Sequence, residues 1–160
     1  MTTEPDLSPE SSWVRVAIPA ELGAGRSFVS RDPHSDRLRV NYYARPSDGA
    51  LVGKAWFGPG AEGPPKHAHG GSIAAVLDEV MGACCWVAHY PVLAARLDTL
   101  FKRPLPLGTV AILEAVILSV DGRKVKTHGR VLGADGRPFA EADGLFVTLP
   151  AERFTSMAGG

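Results

Sequence analysis

The chain has 160 residues, 45 % hydrophobic and 21 % charged, which is the size of roughly one globular domain able to bury about 70 % of its unfolded-chain surface without a disulfide or metal staple. Its 17 basic and 17 acidic side chains cancel, excluding a global field that would draw it to nucleic acid or an anionic membrane. The two cysteines, Cys84 and Cys85, are adjacent, which excludes a disulfide framework and paired-thiolate zinc spacings and suits a reducing, cytoplasmic setting.

Residues 1–30 mix Pro, Ser, Glu and Gly around one apolar cluster, Trp13 to Ile18, and are read as a lead segment laid over the domain. Its first acidic residues, Glu4, Asp6 and Glu10, come without a basic partner or an apolar run, so it reads as neither signal peptide nor anchor. Two apolar, β-branched and aromatic runs at 38–44 and 51–57 flank Arg45-Pro46-Ser47-Asp48-Gly49, the pattern of a hairpin. Pro64 and Pro65 then mark a loop. From Gly71 to about Ala88 the period changes. Ile73, Val76, Leu77, Val80, Cys84 and Val87 follow helical spacing, with Ala74, Met81, Cys85 and Trp86 on the other faces, and a helix apolar nearly all round is normally enclosed by protein.

Beyond Pro91, strands are predicted at 95–102, 109–120, 124–132 and 138–149, with tight turns at Asp121-Gly122 and 133–137. The longest apolar stretches, 83–88 and 110–120, are shorter than the roughly 18 to 20 residues of a bilayer span, so no membrane partner is expected. The division is a lead segment 1–30, a domain 31–150 and a tail 151–160, of α+β class. One helix cannot cover both faces of a six-stranded sheet, so the sheet must curl around it or meet another copy.

The helix carries two charges, Asp78 and Glu79. A carboxylate in an apolar helix calls for a partner, a cavity or a chemical task, and adjacent residues point about 100° apart, so one of the two faces any given site. Glu79 at a helix edge reaching solvent stays an open alternative. His69-Gly70-Gly71-Ser72 stands at the helix entry, where two glycines let a ligand oxygen approach unpaired first-turn amides, the geometry of an oxyanion hole; the alternative is a tight turn with Ser72 helping to cap the helix.

Other motifs fail on context. Gly58-Pro59-Gly60-Ala61-Glu62-Gly63 matches a dinucleotide pattern, but the prolines after it prevent a helix from starting. Gly70-x-Ser72-x-Ala74 lacks the last glycine of a nucleophile elbow, in a chain too short for an α/β-hydrolase. His67-x-His69 offers two imidazoles to a metal without a third ligand, so no metal site is assigned. His34, His89 and His128 belong to no motif.

The run from His69 to Gly82, His-Gly-Gly-Ser-Ile-Ala-Ala-Val-Leu-Asp-Glu-Val-Met-Gly, resembles the signature of the hotdog-fold thioesterase superfamily. Gly63 to Ala68 and Phe101-Lys102-Arg103-Pro104-Leu105-Pro106-Leu107-Gly108 are similar to its acyl-CoA thioesterase branch, which includes phenylacetate-degradation and 4-hydroxybenzoyl-CoA enzymes. The resemblance implies a curled antiparallel sheet of about six strands around one long helix and acyl-CoA thioester hydrolysis without a separate cofactor, coenzyme A being part of the substrate.

By the same resemblance Asp78 corresponds to the catalytic carboxylate, His69, Gly70 and Gly71 to the carbonyl-polarising turn, and Lys102 with the 121–126 turn to the coenzyme A side. Lys102, Arg103, Arg123, Lys124 and Lys126 sit at strand ends and turns, where they suit a phosphate tail or simply a solvated sheet edge. Two positions depart from the pattern: Ala94, where relatives carry a water-orienting Thr or Ser, and Gly63, where phenylacetate-branch members carry Asn. Thr99 and Glu79 are the candidate replacements, with His67 as a further auxiliary. Rival functions are a non-catalytic acyl-CoA-binding subunit and a hotdog hydratase or dehydratase.

Gly71 and Asp78 lie seven residues apart, about 10 Å along one helix, too far for one carbonyl to touch both. A homodimer with shared sites is therefore expected, with a dimer of dimers as a further option.

Overall fold

The computed structural model describes residues 3–19 and 27–159; the remainder of the lead segment and Gly160 lie outside the described residues. The chain forms β1 (Val14–Arg15), β2 (Leu38–Arg45), β3 (Ala50–Phe57), α1 (Gly70–Val87), β4 (Val92–Phe101), β5 (Val110–Asp121), β6 (Lys124–Leu132), β7 (Pro138–Thr148) and α2 (Ala151–Ala158). All pairings are antiparallel, in the order β1-β2-β3-β5-β6-β7-β4. This is the hotdog architecture, with seven strands among the described residues. The seventh is β1, which pairs with β2 at Val14↔Ala44 and Arg15↔Tyr43.

The predicted hairpin closes between Arg45 and Ala50, where Asp48 accepts from the Arg45 guanidinium and from the Ala50 amide. Gly49 supplies the left-handed residue that this turn requires, at φ 72°. After β3 the chain crosses through α1 to the far edge of the sheet and returns at β5 beside β3. Strand alternation turns one face of the sheet toward α1, and Val76, Leu77, Val80, Met81 and Cys85 of the helix are fully enclosed there. Close approach depends on missing side chains. A Cβ on Gly129 would lie 2.9 Å from Met81 Cγ, and one on Gly144 would lie 2.6 Å from Thr127 Oγ1.

Two expectations change here. With a mean hydropathy of 1.3 over 18 residues, α1 is long and apolar enough to cross a membrane, contrary to the stretch-length reading; half of it is buried within the fold, as in a core helix. Nor is α1 enclosed all round. The sheet does not close, and a stripe of Gly71, Ala74, Ala75, Asp78 and Gly82 stays partly or fully exposed at helical spacing. The tail contains α2, whose Phe154 meets Trp86 edge-to-face with ring centroids 4.9 Å apart.

Candidate active site

The loop before α1 is held by its own backbone. His69 N–H donates to Ala61 at 2.8 Å, His67 N–H to Pro64 at 2.9 Å, and Ala68 N–H to Leu105 at 2.8 Å. Gly63 lies so close to the helix entry that an added Cβ would stand 2.7 Å from His69 Cα. A side chain there would require the His69 backbone to shift.

His69 itself is the N-cap. Its Nδ1 accepts the Gly71 N–H at 2.8 Å, and Ser72 Oγ donates to the His69 carbonyl at 2.7 Å. The cap is thus His69 rather than Ser72, and the helix begins one residue earlier than its sequence period indicates. Because Nδ1 accepts, the proton of the neutral ring sits on Nε2, leaving an outward donor. The Gly71 amide, expected to meet a ligand, is engaged by this imidazole. Gly70 N–H has no acceptor among the described residues, so it is the open first-turn donor.

Over Gly70 lies the Phe101 ring, 3.4 Å from where a Cβ would stand. Sequence reasoning missed this residue, reading it only as a strand end; its place follows because β4 runs back along α1, so the end of one meets the start of the other.

Asp78 is exposed on the open stripe of the helix. Desolvation by the surrounding protein, and then the charge of Glu79, push its carboxyl above the usual carboxylate range. Glu79 points elsewhere and is half-buried, not a solvated helix edge. Tyr42 Oη donates to its Oε1 at 2.6 Å and Ser27 Oγ to its Oε2 at 2.7 Å. With both oxygens held, Glu79 is poorly placed to orient water. Thr99 lies on the face of β4 turned toward α1 and Ala94 at the bulge of that strand. His67 Nδ1 contacts the Pro65 carbonyl at 2.9 Å, tying it to its loop.

The basic residues do not form one patch within the chain. Lys102 stands beside Phe101, with Nζ 3.8 Å from Glu141. Arg123 and Lys124 stand at the other end of the sheet, where Lys124 pairs with Val147 while Phe101 pairs with Ala140, a separation of roughly 23 Å along β7. Lys126 follows on β6, exposed. Arg103 is engaged within the chain: it donates to Asp135 at 2.8 Å and to the Arg137 and Pro138 carbonyls, and its guanidinium stacks on Phe139 at 4.0 Å. It holds the 133–138 turn. Burial pushes the Cys85 thiol up to about 12 and raises that of Cys84, so neither is a ready nucleophile. No group of three metal-ligating side chains occurs among the described residues.

Residues 65–140, which carry the His69 turn, α1, β4, β5 and β6, match the family model described as the thioesterase superfamily. The chain is 38 % identical over 93 residues to acyl-coenzyme A thioesterase THEM4 of Xenopus laevis, covering 58 % of this chain and 42 % of that protein. Against THEM4 of Bos taurus it is 35 % identical over 97 residues, covering 60 % and 40 %. The chain thus spans about two fifths of the length of these relatives. Among solved structures, a thioesterase superfamily protein superposes with a TM-score of 0.63 at 36 % identity, covering 68 % of this chain and 53 % of that one. A hypothetical thioesterase of Streptococcus pneumoniae, solved with coenzyme A, has the same fold, with a TM-score of 0.64 at 14 % identity and coverage of 69 % and 85 %. The matched segment, the strand order and the helix-entry turn agree: residues 65–140 are similar to the thioesterase superfamily, and the fold is the hotdog fold of its solved members.

Proposed function

We propose that this chain hydrolyses acyl-CoA thioesters. The observation that carries the reading is the pairing of a helix-entry turn that has an unengaged Gly70 amide with a carboxylate, Asp78, on the uncovered stripe of the same helix. The thioester oxygen accepts from Gly70 N–H, assisted by the helix dipole and by His69 Nε2–H, which stabilises the negative charge that develops as the carbonyl is attacked. Asp78 takes a proton from water, the resulting hydroxide adds to the carbonyl carbon, and the C–S bond breaks. The coenzyme A thiolate leaves and picks up a proton, and a free acid remains. A raised carboxyl suits this base role. Direct attack by Asp78 through an anhydride is the alternative: water that opens the anhydride at the Asp78 carbonyl carbon leaves ¹⁸O from labelled water in Asp78 after a single turnover, which the base route never does. No cofactor enters either route.

The site is shared between two copies. Gly70 and Asp78 are eight residues apart, about 12 Å of helix, so one thioester meets the turn of one chain and the carboxylate of the other. The exposed stripe of small residues on α1 allows two helices to approach antiparallel, and the unpaired edge strand β4 allows the sheet to continue into a second copy. A two-fold axis also carries the Arg123–Lys124 end of one chain toward the Lys102 end of the other, which supplies both to one coenzyme A.

Ala94 favours one second reading, an acyl-CoA-binding subunit without turnover, because that position carries no hydroxyl to orient water. Thiol release from a panel of short, medium and aromatic acyl-CoAs separates the readings. Hydrolysis of at least one supports the thioesterase; tight coenzyme A binding without release supports the binding subunit.

A further inference from the structure

Glu79 is the one charged side chain of α1 besides Asp78, and hydroxyls from two separate elements hold it: Tyr42 of β2 and Ser27 of the lead segment. Ser27 is itself fixed, its Oγ accepting from the amides of Val29 and Ser30, and Val29 is buried in the core. Among the described residues no cation forms an ion pair with Glu79. Every charged side chain of β2 to β7 lies on the outer face of the sheet or at a strand end, and Tyr42 is the one titratable group that the sheet turns toward α1. Arg15, Arg31, Asp32 and Arg39 line the same cavity of about 690 Å³ as Glu79. None of them makes an ion pair with it among the described residues.

A carboxylate held by hydroxyls on the covered flank of the helix, with no ion-pair partner among the described residues, repels the carboxylate next to it. We propose that Glu79 is the positioning residue of the site: clamped by Tyr42 and Ser27, it is a fixed negative charge that keeps Asp78 turned toward the open face of α1 and available as a base. The inference rests on the thioesterase reading for the role of Asp78 but not for the electrostatic arrangement. The Tyr42 hydroxyl is pushed well above its ordinary range by burial and by Glu79, so it remains a donor throughout the working pH range.

The test follows the side-chain carboxyl carbon of Asp78 by NMR through a pH titration in ¹³C-labelled protein, the signal being assigned by its loss in Asp78→Asn. In Glu79→Gln, which keeps the shape and removes the charge, the Asp78 midpoint shifts to lower pH. The acid limb of kcat/KM shifts with it, and kcat at neutral pH falls about two- to fivefold with KM nearly unchanged, as for a weakened base. Tyr42→Phe, which keeps the charge but frees it to move into solvent, gives a smaller shift in the same direction and serves if Glu79→Gln does not fold. An unmoved Asp78 midpoint in the folded variant overturns the proposal. A shifted midpoint in a protein that releases no thiol from any acyl-CoA supports the electrostatic arrangement and overturns the thioesterase reading instead.

Discussion

The two edges of the sheet are treated in opposite ways. Along β2 the lead segment is fastened at many points: β1 adds two paired residues, Tyr43 Oη donates to the Leu7 carbonyl at 2.7 Å, Arg39 meets Glu4 at 2.6 Å, and Lys54 of the adjacent β3 meets Glu10 at 2.8 Å. Along β4 nothing is added among the described residues, and Leu93, Leu100 and Phe101 are each about half exposed there. An open edge with apolar side chains invites pairing with another chain, a hazard that proteins normally cover. Among the described residues the chain covers one edge and leaves the other, so under the shared-site proposal the open edge is the interface and the covered one a wall. The helix repeats the division, with Glu79 clamped on the covered flank and Asp78 bare on the open one.

The largest effect that should separate the flanks is catalytic. Asp78→Asn keeps the shape but neither accepts a proton nor attacks, and kcat should fall about 100-fold or more while coenzyme A binding persists. Its stability should move the other way. A carboxyl raised in the folded state loses its proton first in the unfolded chain, so stability declines as pH rises above the unfolded value of 3.8, and the penalty remains at neutral pH. Asp78→Asn removes that penalty, and the melting temperature at pH 7 should rise. A folded Asp78→Asn protein with most of its wild-type kcat would place the chemistry elsewhere.

The open edge gives the next effect. Leu93 and Leu100 are about half exposed in one copy, so under the shared-site proposal Leu93→Lys and Leu100→Lys each remove about 0.8 to 1.5 kcal/mol of burial twice from a two-fold interface, and dimer affinity should fall about 10- to 100-fold. Sedimentation should then find monomers, inactive under the shared-site model although folded. Active monomers would mean that each chain assembles its own site. A complementary mixture of Gly71→Val and Asp78→Asn chains, each inactive alone, should recover about a quarter of the sites, since half of the dimers are mixed and each holds one intact site.

A smaller effect belongs to the strand ends. Neutralising Arg123 and Lys124 together should raise KM for acyl-CoA by about tenfold or less, with kcat unchanged, because phosphates far from the thioester bind equally in ground and transition states. Added salt should raise the wild-type KM in the same direction. An unchanged, salt-independent KM would remove this turn from the coenzyme A site.

How much of this division was legible in the sequence depends on what fixes each part. The six long strands and α1 stand within a few residues of their predicted positions because alternation and helical spacing are local properties of Leu38 to Thr148. β1 was not legible, since two residues become a strand only by pairing with Ala44 and Tyr43 across the chain. The Glu79 clamp joins residues 37 and 52 positions away, and Tyr42 carries no local sign that its hydroxyl faces a carboxylate. The His69 cap depends on which ring nitrogen meets the Gly71 amide. The contacts of Arg103 with Asp135, Arg137 and Phe139 were not legible either, because a basic residue at a strand end looks the same whether it faces a phosphate, solvent or a turn.

The smallest expected effect tests the wall. Tyr43→Phe removes one hydroxyl and its bond to the Leu7 carbonyl, while the ring stays buried and remains 5.9 Å from Trp13, centroid to centroid. One neutral hydrogen bond contributes about 1 kcal/mol net, and for a protein of this size that lowers the melting temperature by about 2 to 4 °C. Asn41 Nδ2, 3.4 Å from the same carbonyl, can close on it and keep the loss at the low end. If β2 carries a wall, the variant should keep its oligomeric state, its kcat and its KM, because neither the Gly70 turn nor Asp78 nor β4 is touched. Sedimentation and steady-state kinetics on one preparation decide it. A Tyr43→Phe protein that changes its assembly would make the β2 side an interface as well, and the asymmetry between the two edges would have to be abandoned.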